Sequence, residues 1–501
     1  MEPELPPAAD PVTLPAIATQ VNRGIAWAAA AQAVIAVSDL VSQMIVVALL
    51  VSSEDYGVAA AAFAFYTLLD YAADFGVTSA IIARDDHTPE RISTVFWFNM
   101  LVSSGLFAAL LLIGPLYGYF LGNSTIGWLL VAYGGKLLWQ NTYAIPFALL
   151  RKDLRFSDIA KARIVAHLCE SVARIVLAAS GVTIWCWVLA GLTRAFVFGV
   201  IVQIRHRFVP MLVFRPREVM PYVRFGLRAA ASQMLYQLYT NLDYVIVTKF
   251  FGERANGIYA LAYFIVLEPV KTIANVVIDV AFPAFARLRD NREELIKQFI
   301  AFTRLNLIAV LPFVVLILLV IPEILRVFYG GGKWTYAELE LCGDAARILC
   351  IVGLLRAVGF MGPPLLDGIG TPELTLRYMI FATIAVPGMI LLGAVILGGE
   401  LGMLSAAVAW AVGYPLAFLA LAYLVVKSIH LPVGRYLRAS WGMIGCSLAG
   451  GLAGLALSIV LADSGDVVRM LVVGLTSLGV MLLLLVTWQK ITPRSIKASL
   501  S

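Results

Sequence analysis

Charge is scarce in this chain. Only 14% of its residues are Asp, Glu, Lys or Arg, where an ordinary soluble domain carries about a quarter. That shortage excludes a soluble globular protein, and a 61% hydrophobic composition fills the gap. Catalytic signatures are missing too. There is no H-E-x-x-H pair for a metal and no G-x-S-x-G elbow for a serine nucleophile. Gly330-Gly331-Gly332-Lys333 lacks the spacing and the hydroxyl residue of a phosphate-binding loop. No connection between apolar segments has room for an ATPase domain, which excludes a nucleotide-driven pump. The five cysteines, Cys169, Cys186, Cys342, Cys350 and Cys446, show no C-x-x-C spacing and read as small buried hydrophobes. Met1–Gln20 holds Glu2, Glu4 and Asp10 but no basic residue and no long apolar run. It is not a signal peptide and reads as a short disordered tail.

What is present is membrane-crossing segments, about fourteen of them. They run over 24–51, 57–83, 92–113, 125–150, 163–183, 185–204, 226–251, 257–281, 299–321, 344–366, 375–397, 402–426, 439–461 and 467–488. The connections alternate in charge. Arg151, Lys152, Arg155, Lys161 and Arg163 follow the fourth segment, and Arg287, Arg289, Arg292 and Lys297 follow the eighth. Tyr117–Thr125, of opposite parity, has no charge. The positive-inside rule then puts the even connections and both termini in the cytoplasm. It also explains the +6 net charge without nucleic acid. Arg254, Arg326 and Lys333 are exceptions. Trp128, Trp185, Trp334, Trp441 and Trp488 fall at segment ends, as interfacial anchors do.

A faint repeat relates the two halves at an offset of roughly 200 residues. Gly57-Val58, with Ala60 and Ala62, falls on Gly257-Ile258, with Ala260 and Ala262. Each half has an even number of segments, so the halves share an orientation and a pseudo-twofold axis along the membrane normal. The expected fold is an all-α polytopic membrane protein: two pseudo-symmetric six-helix lobes around a central cavity, plus two C-terminal helices. The divisions are a cytoplasmic tail 1–22, an N-lobe 23–204, a cytoplasmic linker 205–224, a C-lobe 225–426, and a last pair of helices with a tail, 427–501. The linker, a mix of Phe, Val, Met and Arg, reads as an amphipathic piece on the membrane surface.

Polar residues inside the segments carry the functional signal, because an ionised side chain near the bilayer centre costs about 2.5–3.5 kcal/mol on insertion scales. The densest stretch is Gln233–Asp279. Gln233, Gln237, Asn241, Tyr244 and Thr248 share one helical face, with Asp243 beside it. Glu268, Lys271, Asn275 and Asp279 do the same on the next segment, across a connector Gly252–Asn256. At i, i+3, Glu268 and Lys271 either pair with each other or meet cargo. The first half answers with Gln32, Asp39 and Gln43 on one face and with Tyr66, Asp70 and Asp74 at i, i+4, i+8. Lys136, Arg356, Arg194, His167 and the i, i+4 pair Glu170–Arg174 complete the set. Near segment ends, Arg23, Arg228, Lys249 and Asp279 read as snorkelling residues. The candidate site is Gln32, Asp39, Asp70, Lys136, Gln237, Asn241, Asp243, Glu268, Lys271 and Arg356. Cations there suit an anionic cargo such as a phosphate on a membrane-soluble carrier; the carboxylates suit a proton or Na⁺ coupling site, or partners for the cations. No metal and no other cofactor is implied.

Several patches resemble the bacterial polysaccharide exporters, the lipid-linked oligosaccharide flippases of the multidrug/oligosaccharidyl-lipid/polysaccharide superfamily. They are Glu54-Asp55-Tyr56-Gly57, Asp74-Phe75-Gly76, Ser93–Asn99, Leu149–Phe156, Asn241-Leu242-Asp243, Gly257–Tyr263 and Phe282–Phe285, in that order from Arg23 to Val426. The resemblance implies flipping of an undecaprenyl-pyrophosphate-linked repeat unit across the bacterial inner membrane, driven by an ion gradient, for exopolysaccharide or lipopolysaccharide assembly. It implies membrane lipid as a partner, and a polymerase and co-polymerase of the same pathway. The cavity residues of such flippases vary with cargo, so no individual role transfers. Two other readings stay open: a drug/cation antiporter of the same superfamily, and a polysaccharide polymerase or ligase.

Overall fold

The structure is a computed structural model that describes residues 14–74, 81 and 88–489. The tails 1–13 and 490–501, the Phe75-Gly76 patch and the half 84–87 of the Arg84–Arg91 connection lie outside the described residues, as do the side chains of Arg23, Asp74, Arg224 and Arg228.

Among the described residues the chain is helical and has no strand. The helices are α1 (Leu14–Ile45, continued by a π turn Val46–Leu50), α2 (Ser53–Asp74), α3 (Pro89–Leu121), α4 (Ser124–Lys152), α5 (Phe156–Ala179), α6 (Cys186–Arg205), α7 (Pro216–Leu288), α8 (Arg292–Tyr329), α9 (Tyr336–Gly359), α10 (Gly362–Gly368), α11 (Pro372–Ile396), α12 (Gly398–Leu401), α13 (Leu404–Ile429), α14 (Val433–Val460) and α15 (Asp466–Thr487). α7 is two arms, 216–251 and 253–288, broken at Gly252. Counted as two, and leaving aside the short α10 and α12, the long helices reach the number expected. Among the described residues ten runs, one of them spanning both arms of α7, are long and apolar enough to cross a membrane. The protein is a multi-pass, all-α membrane protein. Large apolar side chains lie open along its helices, such as Leu112, Ile396, Val460 and Leu475. They face hydrocarbon, where burial gains little and packing holds the helices together.

The chain divides into two compact units. The first is Met1–Ile45, Ala72–Leu112 and Val131–Ala229. In it α5 packs against α1 and α6, and Ile81, Val95, Phe96, Ile145 and Ala148 form a buried cluster. The second is Val46–Tyr71, Ile113–Leu130 and Ala230–Ser501. There α11 packs on α13, α9 on α8 and α13, and the last helices, α14 and α15, on each other and on α8.

Local chemistry sets the element ends. Gly252 sits at φ 84°, ψ 174°, a left-handed backbone that glycine alone takes without strain. Helix resumes at once after it, so the expected five-residue connector shrinks to one residue. α9 starts in a capping box: the Thr335 amide donates to Oε2 of Glu338 (2.7 Å), and the Glu338 amide donates to the Thr335 hydroxyl (3.4 Å). α1 begins at Leu14, within the stretch read as tail.

The linker departs from expectation. Its first part, His206–Arg215, is irregular, and only from Pro216 is it helical. The start of α3 holds it: the Trp97 indole donates to the Met211 carbonyl (2.8 Å), the Met211 amide donates to the Ser93 hydroxyl (3.0 Å), and the Thr94 hydroxyl donates to the Val213 carbonyl (3.3 Å). Phe208 packs against the Phe96 cluster. Satisfying the backbone this way removes the need for a helix.

Candidate functional site

Two helical turns meet within the second unit, the first turn of α2 and the first turn after the break of α7. A Cβ on Gly57 would run into the Glu253 carbonyl, and a Cβ on Gly257 would run into the Ser53 carbonyl. The contact is reciprocal and carries the same 200-residue offset as the repeat. Asn256 seals it, donating from Nδ2 to the Gly57 carbonyl (2.8 Å). The buried carboxylate of Glu338 accepts from the Ser53 hydroxyl and from Nε of Arg254 (2.7 Å). Trp334 is no interfacial anchor. It is 4% exposed, and its indole donates to the Val47 carbonyl (2.7 Å). Trp128, Trp441 and Trp488 are the open ones.

Beyond these turns, the first arm of α7 brings Asp243 into the core at 0% exposure. Three donors satisfy it: the Tyr259 hydroxyl (2.7 Å), the Trp410 indole (3.0 Å) and the Tyr244 amide (2.9 Å). The same Trp410 ring lies 4.7 Å from the guanidinium of Arg356, with Tyr414 at 5.6 Å and Tyr263 at 5.9 Å. Arg356 donates from Nη1 to the Tyr263 hydroxyl (3.1 Å) and is 2% exposed. A buried carboxylate and a buried guanidinium thus share one tryptophan, which bonds the first through its N–H and faces the second with its ring. Sequence reasoning singled out Asp243 and Arg356 but missed the cage of Tyr259, Tyr263, Trp410 and Tyr414. The i, i+4 spacing of Tyr259–Tyr263 and of Trp410–Tyr414 was its available sign.

Along the same α7 arm, Asn241 donates from Nδ2 to the Gln237 carbonyl (2.9 Å) and to its Oε1 (3.2 Å). On the second arm, Nζ of Lys271 donates to both Glu268 oxygens at 3.1 and 3.2 Å. Their side chains are 32% and 40% exposed, so the pair stays within reach of solvent or cargo. Asn275 and Asp279 are exposed. Asp70, half-buried, accepts from the Tyr66 hydroxyl (2.8 Å).

The rest of the expected set lies in the first unit. Gln32 is exposed on α1, Asp39 is half-buried, and Lys136 is buried on α4. Asp39 meets His167 of α5, and Glu170 meets Arg174 as the i, i+4 spacing predicted. Ligand-type atoms of Asp39, His167 and Glu170 come within 4.8 Å of one another. Both oxygens of Glu170 already face guanidinium groups, so no metal is assigned there.

A membrane bundle with charged residues in its core is the scaffold of a transporter, and comparison with known proteins agrees. The chain is 27% identical over 406 residues to the lipopolysaccharide biosynthesis protein WzxC of Escherichia coli K12, covering 79% of this chain and 77% of that one. It is 25% identical over 370 residues to the teichuronic acid biosynthesis protein TuaB of Bacillus subtilis 168, covering 73% and 71%. Its fold matches that of the lipid II flippase MurJ in an inward closed conformation, with a TM-score of 0.67 at 15% identity over 91% of this chain and 98% of that one. The family described as polysaccharide biosynthesis protein matches residues 46–338, more than half of the sequence, and the chain belongs to that family.

Proposed function

We propose that this protein is a flippase that carries an undecaprenyl-pyrophosphate-linked oligosaccharide repeat unit across the bacterial inner membrane for exopolysaccharide or lipopolysaccharide assembly. In this reading the protein is a transporter and not an enzyme. Family membership combined with ionisable residues inside membrane-length helices carries the reading. A sugar pyrophosphate pays a prohibitive cost in bare hydrocarbon, and a protein path lined by polar side chains removes it.

In this reading the cycle is alternating access, with the sequence halves 23–204 and 225–426 as the moving bodies and both termini in the cytoplasm. Lys271 is the cation offered to the pyrophosphate, since its partner Glu268 leaves it partly open. Gln237, Asn241 and Asp70 of the second unit contribute polar lining. Asp243 and Arg356 brace the helices behind that lining, because the aromatic cage closes over both. A polymerase and co-polymerase of the same pathway receive the product. The drug/cation antiporter reading loses weight because the relatives are named for polysaccharide assembly.

The test is deletion of the gene in its host, followed by assay of the lipid-linked sugar pool on each membrane face. Lipid-linked intermediate should build up on the cytoplasmic face, and the wild-type chain should clear it. An unchanged pool would reject the reading.

A further inference from the structure

The first unit carries an open segment that the proposed path leaves unused: 206–217, between the end of α6 and the first turn of α7. Protein groups satisfy much of its main chain. Besides the bonds that tie Met211 and Val213 to α3, the Phe208 amide donates to Oε1 of Gln203 (3.3 Å), and the Phe208 carbonyl accepts from Nε2 of the same side chain (3.0 Å). The Arg215 amide donates to the Thr94 hydroxyl (3.4 Å). The side chains are another matter. Phe208 turns in to the Phe96 cluster, but Leu212 is 91% exposed and Val209 70%, with Met211 and Phe214 also open.

The charges on this segment have one sign. Arg207, Arg215 and Arg217 are exposed, and no acidic residue lies within 206–217. Arg207 and Arg217 have no ion-pair partner among the described residues. The positive-inside rule accounts for arginines in a cytoplasmic connection. It does not account for Leu212 and Val209 held open between them. Apolar side chains gain by leaving water, and guanidinium groups bond well to phosphates. A non-helical main chain enters a lipid interface at low cost only when its polar groups are already bonded. The segment meets all three conditions. Its place fits too: the candidate span of α6 ends at Arg205 and that of α7 starts at Ala231, so 206–217 lies at the edge of the membrane-crossing runs.

We propose that 206–217 is a docking surface for anionic phospholipid of the cytoplasmic leaflet. The open apolar side chains enter the headgroup layer, Leu212 foremost, and Arg207 and Arg217 take lipid phosphates on either side. The bonds to Ser93, Thr94 and Trp97 set the shape of the segment in advance, so docking costs little further ordering. The proposal rests on the flippase reading only for the side of the membrane.

The experiment uses the full chain in nanodiscs of phosphatidylcholine, with or without added phosphatidylglycerol. Leu212→Cys carries an environment-sensitive fluorophore; Cys169→Ser removes the half-buried native thiol, and the other cysteines are buried. With phosphatidylglycerol present, the emission should move to shorter wavelength and be quenched by groups on the lipid acyl chains. In phosphatidylcholine alone, aqueous acrylamide should quench it instead. Arg207→Gln and Arg217→Gln should each lower the ratio of inserted to withdrawn label about fivefold. Added salt should lower that ratio with no change to the arginines, which keeps the test valid if the Gln variants fold poorly. A label open to water in both membranes overturns the proposal. Equal insertion in both overturns the choice of anionic lipid. A label shielded from both quenchers means that protein covers the segment, and also overturns it. None of these signals depends on cargo, so they stand or fall apart from the sugar-pool assay.

Discussion

Asp243 shows how a single side chain organises its surroundings. Its three donors come from α7 and α13, and removal of the carboxylate strands the Tyr259 hydroxyl and the Trp410 indole in a dry core. Unpaired buried donors cost about 1–3 kcal/mol each. Asp243→Ala should therefore lower stability by about 3 kcal/mol or more, read as a large drop in the apparent Tm in detergent, and Asp243→Asn should lower it less. Trp410→Phe keeps a ring against Arg356 while deleting one hydrogen bond, so its loss should be the smallest of the three. Lys271 behaves oppositely. Its pair is partly exposed, where ion pairs contribute about 1 kcal/mol or less. Lys271→Ala should leave the Tm nearly unchanged yet reduce export in the complemented deletion strain, and full export would remove Lys271 from the path. At this scale the sequence showed which residues are polar in the wrong place. It did not show their partners, because Asp243 and Trp410 lie 167 positions apart, and a tryptophan reads alike as anchor or buried donor. Trp334 was misread for that reason.

Among the elements, periodicity made the long helices legible, and the single break at Gly252 followed from one positive φ. The linker was not legible. Its hydrophobic and basic mixture gives no sign that Ser93, Thr94 and Trp97 supply hydrogen bonds that hold 206–215 out of a helix, while 216–224 is helical. Thr94→Val together with Trp97→Phe should free that segment, seen as faster amide exchange over 206–215 with little change elsewhere. Unchanged exchange would mean that the Ser93 bond to Met211 and the packing of Phe208 suffice to hold it. α14 and α15 were placed outside the repeat by sequence, and the structure gives them an anchor. Arg469 of α15 meets the buried carboxylate of Glu323 on α8 (3.2 Å), and Arg326 meets Asp466 (3.2 Å). Arg469→Ala should weaken the attachment of α15 to α8, measurable as greater protease access at the α14–α15 connection.

For the whole molecule, the meeting of the two turns in the second unit bears most directly on transport. Glu338, holding both Ser53 and Arg254, and Asn256, holding Gly57, bond across it. A methyl group at Gly57 or Gly257 would collide with main chain on the other turn. Gly57→Ala and Gly257→Ala should each abolish or strongly reduce export at normal protein levels, because the turns can no longer pack against each other. Preserved export with unchanged cross-linking between cysteines placed at positions 53 and 253 would remove the turns from the cycle.

That collision also decides what genetics can recover. The obstacle to each substitution is a carbonyl oxygen, which every amino acid carries, so no exchange of side chain on the opposite turn makes room. Revertants of Gly57→Ala or Gly257→Ala should come back as true glycines, or as insertions and deletions that shift the facing turn bodily. Ordinary second-site substitutions at Ser53 or Glu253 should be missing from such a collection.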